Sequence, residues 1–218
     1  MPLTRLSCSE LPTSQYPVLV LEGMPGAGKT TAATILAAEN RAVIGEYTTL
    51  TGDVVPIDAH PAVVDDAAHQ RNWLRKHRQV QAARRTSPVF CDRDWLTALA
   101  YAHSLADTDH GALLTSRACW VSDRLDCGNL MLADTYVVFP LDPAVSLQRR
   151  MNRLNPDHPW SSLPGLIRLA AFYIDPATAL ATVHPDLAAR LRTVAWHWVR
   201  DYSLDRTVQF LRDLVDLR

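Results

Sequence analysis

Lysine is almost missing from this chain. Of its 22 Lys and Arg side chains in 218 residues, only Lys29 and Lys76 are lysines. Glutamate is confined to Glu10, Glu22, Glu39 and Glu46. Cysteine is sparse, and Cys8, Cys91, Cys119 and Cys127 form no Cys-x-x-Cys pair. That spacing excludes a zinc-ribbon or disulfide framework and suits a reducing compartment. The eight histidines make no ligand-type pair, so a histidine-held metal is not expected. No apolar run is long enough to span a bilayer, and the N-terminus has no apolar signal-peptide core. A cytoplasmic protein without a membrane partner is the expectation. Neither charge sign is in excess, with a formal net charge of -1, which argues against a duplex binder, so no nucleic-acid partner is expected, although local arginine clusters could bind small anions.

What is present suits one globular unit. Hydrophobic residues make up 48% and charged residues 21%, and the length fits a single α/β domain over 1–218. Residues 1–16 read as a polar leader. Short apolar runs at 17–22, 42–45, 88–91, 135–139 and 194–199 read as five buried strands. Helical patterns fall between them at about 29–39, 65–85, 94–106, 143–153 and 203–216, with further helix to about 191. Residues 112–133 read as partly helical and 47–64 as a loop. Strands alternating with helices predict a three-layer sandwich, a parallel sheet covered on both faces. Ligands of such sheets bind at the carboxyl ends of the strands, where Glu22, Glu46, Asp92 and Asp201 fall.

Glycine numbers only 8, yet Gly23, Gly26 and Gly28 crowd together just before Lys29. The run Gly23-Met24-Pro25-Gly26-Ala27-Gly28-Lys29-Thr30 matches G-x-x-x-x-G-K-[ST], after a predicted strand and before a predicted helix. Glycines let backbone N–H groups close on phosphate oxygens, and the helix start adds partial positive charge. The run therefore predicts an ATP site formed by Gly23, Pro25, Gly26, Ala27, Gly28, Lys29, Thr30 and Thr31. Lys29 would reach the β- and γ-phosphates. The Thr30 hydroxyl would ligate Mg²⁺, with Asp92 at a strand end as the second metal residue.

Arg149 and Arg153 are four apart and share a helix face, so they are expected to meet transition-state charge from a lid at about 149–164. Arg150 points away from that pair. Pro156, Pro159 and Pro164 follow the cluster. Trp196 and Trp198 are expected on one core-facing side of a strand. Trp73 and Trp95 are also read as core, and Lys76 as a solvated helix residue.

The stretch Val89-Phe90-Cys91-Asp92-Arg93, followed by Thr97, Ala100 and Tyr101, resembles thymidylate kinases and the related deoxynucleoside kinases. Glu46 after the second strand and the arginines after Tyr136 follow the same order. The resemblance spans about 17–215. It implies a P-loop NTPase fold with a five-stranded parallel sheet, helices on both faces and a lid. It implies an ATP- and Mg²⁺-dependent phosphotransferase acting on a nucleoside monophosphate or nucleoside-like acceptor. Arg93 would bind the acceptor or the moving phosphate, Thr97 and Tyr101 would line the acceptor pocket, and Arg71 would touch substrate, with Arg75 as its rival. Glu46 would serve as base or binding residue.

Three positions depart from the thymidylate kinase pattern. Its Arg-Glu-Pro reads Gly45-Glu46-Tyr47 here, and the Gln after its Ala-Tyr reads Ala102. A different hydroxyl acceptor such as an antibiotic, or a P-loop regulatory switch, remain the alternatives. A homodimer is left open.

Overall fold

The computed structural model describes residues 15–62, 65–105, 108–150, 158–200 and 203–216. Five strands form one sheet: β1 (Val18–Gly23), β2 (Ala42–Ile44), β3 (Val89–Asp92), β4 (Thr135–Phe139) and β5 (Ala195–Trp198). Their order across the sheet is β2-β3-β1-β4-β5, and every pairing is parallel. The helices are α1 (Lys29–Ala38), α2 (Asp66–Ala83), α3 (Leu96–Ser104), α4 (Thr108–Asp126), α5 (Pro143–Arg150), α6 (Leu163–Ile174), α7 (Pro176–Leu180), α8 (Pro185–Leu191) and α9 (Leu204–Asp216). Short 3-10 turns occupy Ile57–Ala59 and Pro159–Ser161.

Successive strand residues point to opposite faces, and the core divides accordingly. Leu19 and Leu21 of β1, with Phe90 and Val137, pack against α1 and α9 through Leu36, Val208 and Leu211. Val18 and Val20, with Val89, Cys91 and Val138, pack on the other face with Leu96, Leu99, Leu166 and Leu169. Two buried faces explain why the strands read as continuous apolar runs.

The region 112–133 resolves as α4 and a turn. Its first part is one long helix, with Ala118 and Val121 buried. Trp196 stacks on Tyr136 with ring centroids 4.6 Å apart, whereas Trp198 is exposed. The two rings share a face as expected, stacked at 6.1 Å, but Trp198 lies at the end of the edge strand β5 and is only partly covered, its Nε1 donating to the Tyr173 carbonyl of α6 at 3.0 Å. Among the described residues no helix is long and apolar enough to cross a membrane.

Register decides what the carboxyl edge holds. Leu21 lies beside Asp92, Gly23 beside Phe139, and Ile44 beside Cys91. The ends of β2, β3 and β1 are therefore adjacent, and the residues that follow each strand converge.

Candidate active site

The loop after β1 is held by its glycines. Gly23 has φ 118°, and a Cβ there would lie 2.4 Å from the Phe139 carbonyl oxygen. The same carbonyl accepts from the Met24 N–H at 3.0 Å. Only glycine lets β1 turn so close to β4. Gly26 and Gly28 also have positive φ, and Gly28 is the cap of α1 with no side chain to satisfy the first N–H groups. The first N–H groups of α1 thus face the loop with no side chain capping them. Pro25 is fixed from outside, because the Ser146 hydroxyl of α5 donates to its carbonyl at 2.7 Å.

Lys29 is buried and turned onto its own loop. Its Nζ donates to the Gly23 carbonyl at 3.1 Å and the Met24 carbonyl at 2.7 Å. Burial and then the nearby Arg93 charge lower it to about 7. The Thr30 hydroxyl donates to Asp92 Oδ2 at 2.7 Å. The other Asp92 oxygen, Oδ1, is buried and has no hydrogen-bond partner. A buried carboxylate oxygen without a partner is costly unless a cation or water meets it. Hydroxyl and carboxylate oxygens are the donors that a hard divalent cation takes. Thr30 and Asp92 therefore fit Mg²⁺. Among the described residues no cluster of three His, Cys, Asp or Glu side chains forms a metal cage.

Arg93 follows β3 with φ 61°, a left-handed conformation unusual for a residue with a side chain. That turn swings its guanidinium between the neighbouring strand ends. Nε stands 3.2 Å from Glu46 Oε1, and Nη1 stands 3.4 Å from Glu22 Oε2 and 3.1 Å from the Thr97 hydroxyl. Glu22 is fully buried and also accepts from Thr97 at 2.8 Å, the Asp94 N–H at 3.1 Å and the Tyr173 hydroxyl at 2.7 Å. Glu22 thus organises the centre and has no spare capacity for chemistry.

Burial alone would raise Glu46. The charges of Arg93, His60, Lys29 and Lys76 outweigh it and hold the carboxyl below the usual value. Asp94 goes the other way. Burial and then the Glu22 charge push it to about 7, and it accepts from Tyr136 at 2.8 Å.

Glu46, Arg93, Thr97 and Tyr101 all line one cavity of about 350 Å³. The structure brings these four expected residues to one cavity. It does not bring Arg71 there, which is exposed and absent from the lining. The buried stripe of α2 is Asn72, Lys76 and Val80, and a residue one position away points about 100° off it. Arg75, its rival, also misses the cavity and bonds Asn72 Oδ1 at 3.0 Å.

Lys76 corrects the expectation of a solvated position. It is 4% exposed, and its Nζ donates to the carbonyls of Arg93 at 2.6 Å, Asp92 at 2.8 Å and Glu46 at 3.4 Å. The spacing of 72, 76 and 80 was the available signal, hidden by the polarity of two of the three.

Arg149 Nη1 donates to the Gly26 carbonyl at 2.8 Å, so α5 leans over the phosphate loop. Arg150, set aside on sequence grounds, lines the cavity instead and stacks over Trp160 at 5.7 Å. Arg153 and Asp201 lie outside the described residues, as do 151–157 of the expected lid.

Several lining residues, among them Trp160, Arg117, His60 and His158, are not singled out in the sequence. Trp160 carries Arg93 on its ring at 5.7 Å. Arg117 pairs with Asp66 and sits over Tyr101 at 5.4 Å. Trp73, expected in the core, is half-buried against the cavity, whereas Trp95 is core as expected.

The departures from the kinase pattern can be placed in the structure. A Cβ at Gly45 would lie 2.7 Å from Val54 Cγ2, across the Thr48–Val54 bridge, so a larger residue there would have to displace that side chain. Tyr47 reaches His69, and Ala102 is buried in the core.

The family model described as an AAA domain matches residues 18–145, from β1 into α5. The chain belongs to the AAA domain family. The matched part of this AAA domain contains the phosphate loop, Glu46 and Arg93. No curated protein matches the sequence significantly. Among solved structures, deoxyadenosine kinase from M. mycoides with dCMP and dCDP superposes with a TM-score of 0.59 at 11% identity, over 92% of this chain and 100% of that one. Thymidylate kinase from Candida albicans gives 0.56 at 14% identity, over 93% and 92%. This AAA domain shares their fold, and the resemblance drawn from the Asp92–Tyr101 stretch holds at that level.

Proposed function

We propose that the protein is an ATP-dependent kinase of a nucleoside or nucleoside-like hydroxyl compound. The observation that carries this reading is the Glu46–Arg93 pair, which joins a carboxylate to a 350 Å³ cavity on the same sheet edge as the phosphate loop. The folds of the deoxyadenosine and thymidylate kinases add support.

The glycine loop, the start of α1 and Lys29 would hold the ATP phosphates. Thr30 and Asp92 would hold Mg²⁺, which when bound offsets charge on the β- and γ-oxygens. The acceptor ring would lie among Trp73, Tyr101 and Trp160, with its hydroxyl at Glu46. Aromatic faces suit a planar heterocycle. An alcohol must lose a proton on transfer, so a carboxylate helps where a phosphate acceptor needs none. The hydroxyl oxygen bonds to the γ-phosphorus, its proton goes to Glu46, and the bond from phosphorus to the β–γ bridging oxygen breaks, releasing ADP. Arg93 keeps Glu46 ionised and aimed. Arg149, with Arg153, would neutralise charge from the α5 side.

A nucleoside monophosphate is the second reading, favoured by Arg117 and Arg150 in the lining. The test is a mass-spectrometric screen with ATP and Mg²⁺ across nucleosides, nucleoside monophosphates and hydroxyl antibiotics. A product heavier by one phosphoryl group from a nucleoside supports the proposal. Transfer only to monophosphates favours the second reading. Slow hydrolysis indifferent to every acceptor would point to a regulatory switch.

A further inference from the structure

Lys76 is the lysine that the proposed chemistry does not use, and it is among the most enclosed charges of the described residues. It leaves the middle of α2 and ends beneath the carboxyl edge of the sheet. An ammonium has three N–H donors. Here three carbonyls receive them: Arg93 at 2.6 Å, Asp92 at 2.8 Å and Glu46 at 3.4 Å.

Those carbonyls belong to the residues with the three main roles assigned above. Asp92 faces the Mg²⁺ position, Arg93 reaches into the cavity, and Glu46 is the candidate base. They come from two strand ends, and β2 stops two residues short of Glu46, so the β2–β3 ladder does not fix it. Asn72, one helical turn earlier on α2, also donates to the Glu46 carbonyl at 2.9 Å. The left-handed turn at Arg93 turns its carbonyl toward α2, where Lys76 is the donor that meets it.

We propose that Lys76 is a positioning residue: its ammonium clamps the backbone of Glu46, Asp92 and Arg93 and so sets the metal acid, the base and the cavity guanidinium in one register. A compact point charge suits three converging carbonyls. A planar guanidinium would not reach all three from one centre. This explains why one of only two lysines stands here in a chain otherwise committed to arginine.

The inference rests on the kinase reading, so its test begins with nucleotide binding, which needs no acceptor. ATP affinity is measured with and without Mg²⁺ for the wild type, Lys76→Met and Lys76→Cys, the last before and after aminoethylation with 2-bromoethylamine. That reagent rebuilds a lysine-like side chain, and treated wild type controls for the four native cysteines. Metal-free affinity is expected to stay within about twofold in every variant, since the glycine loop is untouched. The gain in affinity conferred by Mg²⁺ is expected to fall at least fivefold in Lys76→Met and to return on aminoethylation of Lys76→Cys. With an acceptor in hand, kcat falls at least tenfold while KM for ATP stays near the wild-type value. If Lys76→Met retains the full Mg²⁺ gain and full kcat, the clamp is wrong. If it folds but loses metal-free affinity equally, or if aminoethylation restores only thermal stability, Lys76 is merely structural. A wild type that binds no nucleotide would overturn the kinase reading itself.

Discussion

The Arg93 guanidinium stands between Glu46 at 3.2 Å and Glu22 at 3.4 Å, joining two carboxylates from the strands that flank its own. β3 lies between β2 and β1, so a side chain turned inward from its end meets both neighbours. The two acids differ in kind. Glu22 is fully buried and saturated, whereas the Glu46 side chain is 30% exposed and opens to the cavity. Of these two acids, Glu46 is the one that lines the cavity.

Replacing Glu46 with Gln is expected to lower kcat about 10²- to 10⁴-fold with a hydroxyl acceptor. KM for ATP should change little. The pH dependence has a definite sign. Although burial opposes it, the cations around Glu46 hold its folded pKa below the usual value, so the ionised form persists to lower pH than in an isolated glutamate. The stability it contributes is present above its unfolded pKa and is lost as pH falls through the depressed folded one. The acid limb of kcat should therefore lie below the ordinary glutamate value, and Glu46→Gln should abolish it. Near-wild-type turnover in that variant would remove the base role.

Lys29 predicts a proton coupling. Burial and Arg93 place it at about 7 in the nucleotide-free protein, so at pH 8 it is mostly neutral. Phosphate oxygens favour the ammonium form. ATP binding at pH 8 should therefore take up close to one proton, read by calorimetry in buffers of different ionisation enthalpy. Lys29→Met should show no uptake, and Lys29→Ala should lose transfer without unfolding. The stability sign is the reverse of that for an ion-paired lysine. The unfolded chain binds the extra proton between about pH 7 and the ordinary lysine value of 10.5, so wild-type stability rises across that window. The excess stability of Lys29→Met over wild type should shrink across it.

Gly23 and Gly111 make a matched pair. An alanine Cβ at Gly23 would sit 2.4 Å from the Phe139 carbonyl oxygen at an unfavourable φ, whereas nothing lies within 4 Å of one at Gly111. Gly23→Ala is expected to cost about 2–4 kcal/mol, a fall in Tm of roughly 5–15 °C. Gly111→Ala, within α4, should gain about 0.5–1 kcal/mol. Thermal melts of the two variants decide it, and equal shifts would contradict the close approach of β1 to β4.

Trp160 carries Arg93 and Arg150 on its ring, each at 5.7 Å. It also stands edge-on to Tyr101 at 5.8 Å. Trp160→Leu keeps apolar bulk but removes the ring face. KM for the acceptor should rise about 3- to 30-fold, the size of one to two cation–π contacts, with KM for ATP unchanged. An acceptor KM unaffected by the change would place the ring outside the acceptor site.

Much of the fold was legible because its signals are local. Buried parallel strands read as apolar runs, and Gly23, Gly26 and Gly28 mark a turn that only glycine makes. Glu46, Asp92 and Arg93 were legible as charges placed where strands end. Trp160, Arg117 and Arg150 were not, because their shared cavity is lined by α4, α5 and the 159–161 turn, which meet only after the chain folds.

The two lysines mark the boundary. Lys29 was determined by the sequence alone, since strand, glycine loop and helix are contiguous and their spacing dictates what a lysine there must face. Lys76 sits in a helix rich in arginine and histidine, and no local pattern separates it from a solvated residue. Its place was decided when α2 packed beneath the ends of β2 and β3, where three carbonyls converge and only a buried donor can satisfy them.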